Sequence, residues 1–199
     1  MPQFSVAVNN ARLDAVETTI GVSAVLKYRT GAPPASCATA DSGTVVATVQ
    51  LPADWMANAS ALSKVLQGVW QDLSADAAGT IGHFRIYDSG GTVCGWQGTA
   101  GQAVPLTTNA LTAANGNVLN FAATTGVLVG HFASGTGVVA GSKVLAVTGT
   151  TVTLNYASTA GVANAAPITF APEVTVDNAT VTAGQQVNTT SFTLNESNT

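Results

Sequence analysis

Apolar and polar positions along this chain change rhythm after the first twenty residues. From Phe4 to Ile20 the apolar residues Val6, Leu13, Val16 and Ile20 fall mostly at helical spacing, with good helix formers between them and Gly21 where a helix C′ residue belongs. This predicts one short amphipathic helix that begins between Ser5 and Ala11. Beyond it come short β-type runs at 24–29 and 44–51, separated by the break Gly31-Ala32-Pro33-Pro34. Runs at 68–73, 81–87 and 92–97 read as further strands. The last two join through Asp88-Ser89-Gly90-Gly91 as a hairpin that would point Phe84, Ile86 and Val93 inward. Segment 54–66, with Trp55, Met56, Leu62, Val65 and Leu66, fits a short helix or a long ordered connection equally well.

The second half carries strand patterns at 118–121, 128–130, 143–147, 151–155 and 168–170. The clearest hairpin signal runs from Val147 to Leu154, two alternating runs meeting at a turn that contains Gly149. After Pro172, runs at 174–181 and 186–194 form a final pair around Ala183-Gly184. Between Asp88 and Glu173 the only Asp, Glu, Lys or Arg is Lys143. This shift in composition points to residues 106–170 as a small β module inserted into a parent domain built from 1–105 and 171–199, with a single larger sandwich as the alternative. The expected fold class is all-β: a jelly-roll-like β-sandwich with a short N-terminal helix and the inserted module.

With 46% of its 199 residues apolar, the chain can bury a core and is not a disordered polypeptide. A net charge of −4 from six Lys and Arg against ten Asp and Glu gives no electrostatic footprint for nucleic acid or an anionic membrane. The start, Met1-Pro2-Gln3-Phe4, lacks the pattern of a signal peptide or membrane anchor, so maturation in the cytosol is expected. Cys37 and Cys94 lack the C-x-x-C spacing of a zinc or redox site and read as two buried thiols, with a disulfide as the alternative.

Chemistry is sparse. His83 and His131 stand in strand-like surroundings without a second ligand at metal spacing, and no G-x-S-x-G elbow supplies a nucleophile. Gly135-Thr136-Gly137-Val138-Val139-Ala140 fits the loosest dinucleotide fingerprint, but β-type sequence follows it where a helix is required, so it reads as a β-turn. Asp14 and Glu17 are expected on the solvated face of the first helix, and Asp72 with Asp76 does not make a glycosidase pair without a cleft. Trp55, Trp70 and Trp96 would stack on sugar rings if exposed, and otherwise anchor the core. No catalytic residue, cofactor or metal ligand is assigned, and an enzyme is not expected. Surfaces of Ala, Val, Gly and Thr lose little side-chain entropy on burial, which points to a homo-oligomer or a subunit of a larger shell.

Several stretches carry a resemblance. They are Phe4-Ser5-Val6-Ala7-Val8-Asn9-Asn10-Ala11-Arg12-Leu13-Asp14-Ala15-Val16-Glu17, then Ala24-Val25-Leu26-Lys27 and Arg29-Thr30-Gly31-Ala32, Trp70-Gln71-Asp72-Leu73-Ser74-Ala75-Asp76-Ala77-Ala78-Gly79-Thr80 with Gly82-His83-Phe84-Arg85-Ile86-Tyr87, and Val174-Thr175-Val176-Asp177-Asn178. In these the chain resembles small virion proteins of tailed bacteriophages, over roughly residues 4–100 and 173–197. Such relatives look shorter and lack the central module, which itself resembles a Gly and Thr-rich β unit of phage structural proteins. The resemblance implies a structural role in the particle. The leading expectation is a capsid decoration or cement protein, trimeric, bridging subunits of the major capsid protein on the capsid surface after assembly in the host cytoplasm. A neck, collar or tail-attached protein with an adhesion module is the alternative. Leu13, Val16 and Ile20 on the helix are the candidate interface, with packing on the helix's own sandwich weighed equally.

Overall fold

The computed structural model describes residues 4–195, which form an all-β, sandwich-like fold with one N-terminal helix. They fall into two compact units, one made of residues 4–101 with 174–195 and the other of Gln102–Glu173.

In the first unit, helix α1 (Val6–Ile20) starts at Ser5, whose hydroxyl accepts the Val8 N–H at 3.3 Å. It stops at Gly21, where φ is +97° and the amide donates to Glu17 O at 2.8 Å. Strands β1 (Val25–Thr30), β2 (Val45–Gln50), β3 (Ser63–Val65), β4 (Gln71–Asp72), β5 (Gly79–Tyr87) and β6 (Cys94–Gly101) follow. After the second unit the chain returns with β13 (Val174–Val176), β14 (Thr180–Val181) and β15 (Val187–Asn195). All nine strands belong to one curled sheet with the path β2-β1-β5-β6-β13-β15-β3, β14 adding to β5 and β4 to β15. The nine-residue β15 pairs with β4 at its start, β13 in its middle and β3 at its end, so three partners share one strand around the curl.

Strand alternation sends Leu26, Tyr28, Phe84, Ile86 and Ala100 to the interior, where they meet Trp55, Trp70 and Phe192. Phe192 joins the rings, with its centroid 5.3 Å from Trp70, 5.6 Å from Phe84 and 4.6 Å from Trp96. Trp55 and Trp70 are core anchors and Trp96 is half-buried. Val93, expected inward, is exposed. It lies in the turn before β6, where its N–H and that of Thr92 donate to Asp88 Oδ1.

The second unit holds β7 (Val104–Thr107), β8 (Val118–Asn120), β9 (Phe132–Gly135), β10 (Val144–Val147), β11 (Thr151–Leu154) and β12 (Pro167–Ala171). Two three-stranded sheets, β10-β11-β8 and β7-β12-β9, contribute Leu119, Val152 and Leu154 from one and Ala133, Ile168 and Phe170 from the other to a single core. Strand β7 contains Pro105, tolerated because β7 is the edge of its sheet. The run at 128–130 is not a strand. It turns, and the Leu128 N–H donates to the His131 ring at 3.4 Å. Gly135 to Ala140 turns as well, with the Val138 N–H donating to Gly135 O and no helix following.

Candidate functional site

The first helix packs on its own unit, the alternative its apolar spacing left open, with Ile20 against the core, and a row of polar contacts adds to the seat. Leu13 is 1% exposed and packs within its own unit, so it is not available to a neighbouring subunit; Val16 and Ile20 are half-buried. Asp14 is part-exposed and Glu17 largely buried, and both carboxylates are engaged rather than free in solvent. Glu17 Oε1 accepts the Trp55 and Met56 N–H groups at 2.7 and 3.1 Å, Asp14 Oδ1 accepts that of Ala59 at 2.9 Å, and Asn10 Oδ1 that of Leu62 at 3.1 Å. Acceptors one turn apart on the helix thus run along segment 55–62 and satisfy amides there. That is why the segment needs neither helix nor strand. Lys64, 2% exposed, completes the join with Nζ 2.9 Å from Asp14 Oδ1 and 3.1 Å from Glu17 Oε2. Burial alone would lower the Lys64 pKa, but the hydrogen bonds to Asp14 and Glu17 outweigh it and raise it; the Lys64 bond holds Asp14 below the usual carboxylate range.

A second polar assembly lies on the sheet face opposite the aromatic core. The pairing of β1 with β5 and of β5 with β6 brings Lys27, Arg29, His83, Arg85, Tyr87 and Cys94 to that face, alternating with the core residues. Segment 31–43 covers them. Asp41 accepts from Arg85 Nη1 and the Tyr87 hydroxyl, each at 2.7 Å, and pairs with Arg29 through its other oxygen. Backbone carbonyls of the segment take further donors. Arg85 reaches Cys37 O at 2.7 Å and Thr39 O at 3.1 Å, Arg29 reaches Ser42 O and Gly43 O at 3.3 Å, and His83 Nδ1 lies 2.9 Å from Gly31 O. An irregular segment otherwise short of partners is fixed by charge-assisted bonds.

The electrostatics follow from burial and these neighbours. Desolvation would raise Asp41, but the Tyr87 hydroxyl, Arg29 and Arg85 overcome it and lower its pKa. Burial, with repulsion from the two guanidiniums, lowers His83. Burial also pushes Tyr87 up to about 12 and, together with the adjacent Cys94 sulfur, Cys37 up to about 11. His131, in the second unit, is lowered by burial to about 4.

Cys37 and Cys94 are both thiols and half-buried, and their sulfurs lie 2.9 Å apart. Cys94 also borders an open cleft of about 540 Å³ between the β6 start and α1, lined by Ala15, Val16 and Ile20, with Arg12 and Asp88 as its charged groups. Gly95 lets the helix come close, since a Cβ there would meet Ile20 Cγ1 at 2.6 Å.

Together these contacts hold segment 31–43 on the sheet. Among the described residues no group of three or more His, Cys, Asp or Glu could hold a metal ion, and no helix is long and apolar enough to cross a membrane. The sequence reads Cys37 and Cys94 as two buried thiols with a disulfide as the alternative, and gives Arg29, Arg85 and Asp41 no role. The available signal was period-two alternation, which puts three of the chain's six cations, Lys27, Arg29 and Arg85, on one face of two adjacent strands. Compared with known protein families, curated proteins and solved structures, the chain matches none of them.

Proposed function

We propose that the chain is a structural subunit of a tailed-bacteriophage particle: a capsid decoration or cement protein, acting as a homotrimer that bridges neighbouring subunits of the major capsid protein. The observation that carries this reading is the surface. Phe4 just before the helix, Val6 and Val8 on it, Val22, Val69 and Leu73 elsewhere in the first unit, and Leu111, Leu145 and Tyr156 in the second are exposed on a chain with only 8% charged residues. Apolar side chains on a surface this poor in charge favour burial between subunits, because little charge must be desolvated. The N-terminal helix is the preferred contact, through Phe4, Val6 and Val8 in place of Leu13. The action would be mechanical, added interface of about 1,200 to 2,000 Å² per contact opposing internal pressure.

A neck, collar or tail-attached protein is the second reading. It is favoured by the separate compact unit Gln102–Glu173, which could serve adhesion at a host surface. Carbohydrate recognition through Trp55 or Trp70 loses its residues, since both rings are buried.

Quantitative mass spectrometry of purified virions against the major capsid protein tests the proposal. Hundreds of copies in fixed ratio to capsid subunits support lattice-wide cement. About a dozen move the protein to the neck or tail, and absence from the particle overturns both.

A further inference from the structure

The two cysteines come from distant parts of the chain, 57 positions apart, yet their sulfurs lie at 2.9 Å. One guanidinium arranges this. Arg85 Nη2 donates to Cys37 O at 2.7 Å while its Nε donates to Cys94 Sγ at 3.2 Å, so the same side chain fixes the backbone of one cysteine and the sulfur of the other. Arg85 is itself held by Asp41 and by Thr39 O, and it is 1% exposed. Both cysteines are half-buried, so solvent reaches the pair, and Cys94 is one of the residues lining the open cleft beside Val16 and Ile20. Proximity, a fixed backbone and access from solvent are the conditions for thiol–disulfide exchange.

We propose that Cys37 and Cys94 form a redox-responsive pair that closes to an intramolecular disulfide when the protein meets a low-molecular-weight disulfide, tying segment 31–43 covalently to β6. In the first step the Cys94 thiolate attacks one sulfur of the small disulfide, forming a mixed disulfide and expelling one small thiolate. In the second, Cys37 loses its proton and attacks the Cys94 sulfur, expelling the other small thiolate. Two protein thiols are oxidised by two electrons, one small disulfide is reduced to two thiols, and the two cysteine protons end on the expelled thiolates. Burial holds the Cys37 thiol above its ordinary pKa, so closure quickens as pH rises. The bond would form after exit from a reducing compartment and would not be needed for folding, since Arg85 and Asp41 already seat the segment.

The test uses the whole wild-type chain, reduced and then incubated with excess oxidised glutathione at about pH 8. Remaining thiols are capped with N-ethylmaleimide before intact-mass analysis. The expected product is a single chain lighter by about 2 Da, without maleimide or glutathione adducts. Its Tm should exceed that of the reduced protein by roughly 10 °C, because the bond closes a long loop of the unfolded chain. Cys37→Ser should stop at one glutathione adduct on Cys94. Two maleimide adducts at equilibrium, two glutathione adducts per chain, disulfides only between chains, or an oxidised form no more stable than the reduced one would each overturn the proposal. These readouts are taken on the wild type and do not require the variant to fold.

Discussion

Lys64 Nζ lies 2.9 Å from Asp14 Oδ1, so a buried ammonium joins the N-terminal helix to a segment fifty residues away. Removing one partner of a buried ion pair leaves the others without their counter-charge. Lys64→Met should therefore destabilise the first unit by about 2–3 kcal/mol, allowing for the part-exposed Asp14. Urea unfolding followed by tryptophan fluorescence measures this, since Trp55 sits on the segment held by Glu17. Asp14 has a depressed folded pKa, so its contribution is present above the ordinary carboxylate value and is lost as pH falls through the lowered one. Lys64 is raised, so its contribution is complete below its ordinary value of 10.5 and is lost as pH climbs past the raised one. Wild-type stability should fall at both ends, and Lys64→Met should flatten both losses.

Ala100 and Val174 are partners in the parallel pairing of β6 with β13, so the chain leaves the first unit and re-enters it on adjacent strands. Strand neighbours lie about 4.8 Å apart, and a linker of roughly six residues can replace everything between them. Deleting 102–173 with such a Gly-Ser linker should leave the nine-stranded sheet folded, with a cooperative melt and unchanged near-UV circular dichroism from its tryptophans. Loss of the cooperative transition would show that the sheet depends on the second unit.

His131 is buried in the second unit with its pKa depressed from 6.5 to about 4. A histidine held neutral in the fold contributes stability above its ordinary value, and this is lost as pH falls through the depressed one. The second unit should therefore lose about 3 kcal/mol between pH 6.5 and about 4. Hydrogen exchange on the amides of β8 and β11 would report it. His131→Phe should remove most of that pH dependence.

Arg85 donates to Thr39 O, Cys37 O and Asp41 Oδ1 from a single planar group. A lysine can place one charge there but cannot reproduce the fork. Arg85→Lys should cost about 2–4 kcal/mol and should expose segment 31–43 to protease before the rest of the unit unfolds. Limited proteolysis with mapped cleavage sites checks it. First cleavage elsewhere would mean that the segment is held by other contacts.

Much of the architecture was legible because it follows local rules. Ser5 and Gly21 bound the helix, and alternation in 24–29, 44–51 and 81–87 gave β1, β2 and β5 nearly to the residue. The loss of charge after Asp88 drew attention to a central module near 106–170, and the second compact unit spans Gln102–Glu173. Strands β7 and β9 carry no strand pattern of their own because Pro105 in one and Ser134-Gly135 in the other read as turn residues, and both strands lie at sheet edges where such residues are tolerated.

The sequence by itself determined the class of fold, the helix ends and the poverty of charge, because periodicity, capping and composition act over a few residues. Tertiary structure alone decided which polar groups meet. Helical spacing names Leu13, Val16 and Ile20, and Leu13 is buried while Ile20 packs on the core, but the polar half of the seat, Asn10, Asp14 and Glu17, is decided by segment 55–62, which presents amides that need acceptors. Likewise nothing local couples Cys37 to Cys94. Their contact exists because β5 stands between β1 and β6 and carries Arg85, whose guanidinium holds segment 31–43 over the sheet. Pairings of that range depend on strand order, which no short window of sequence contains.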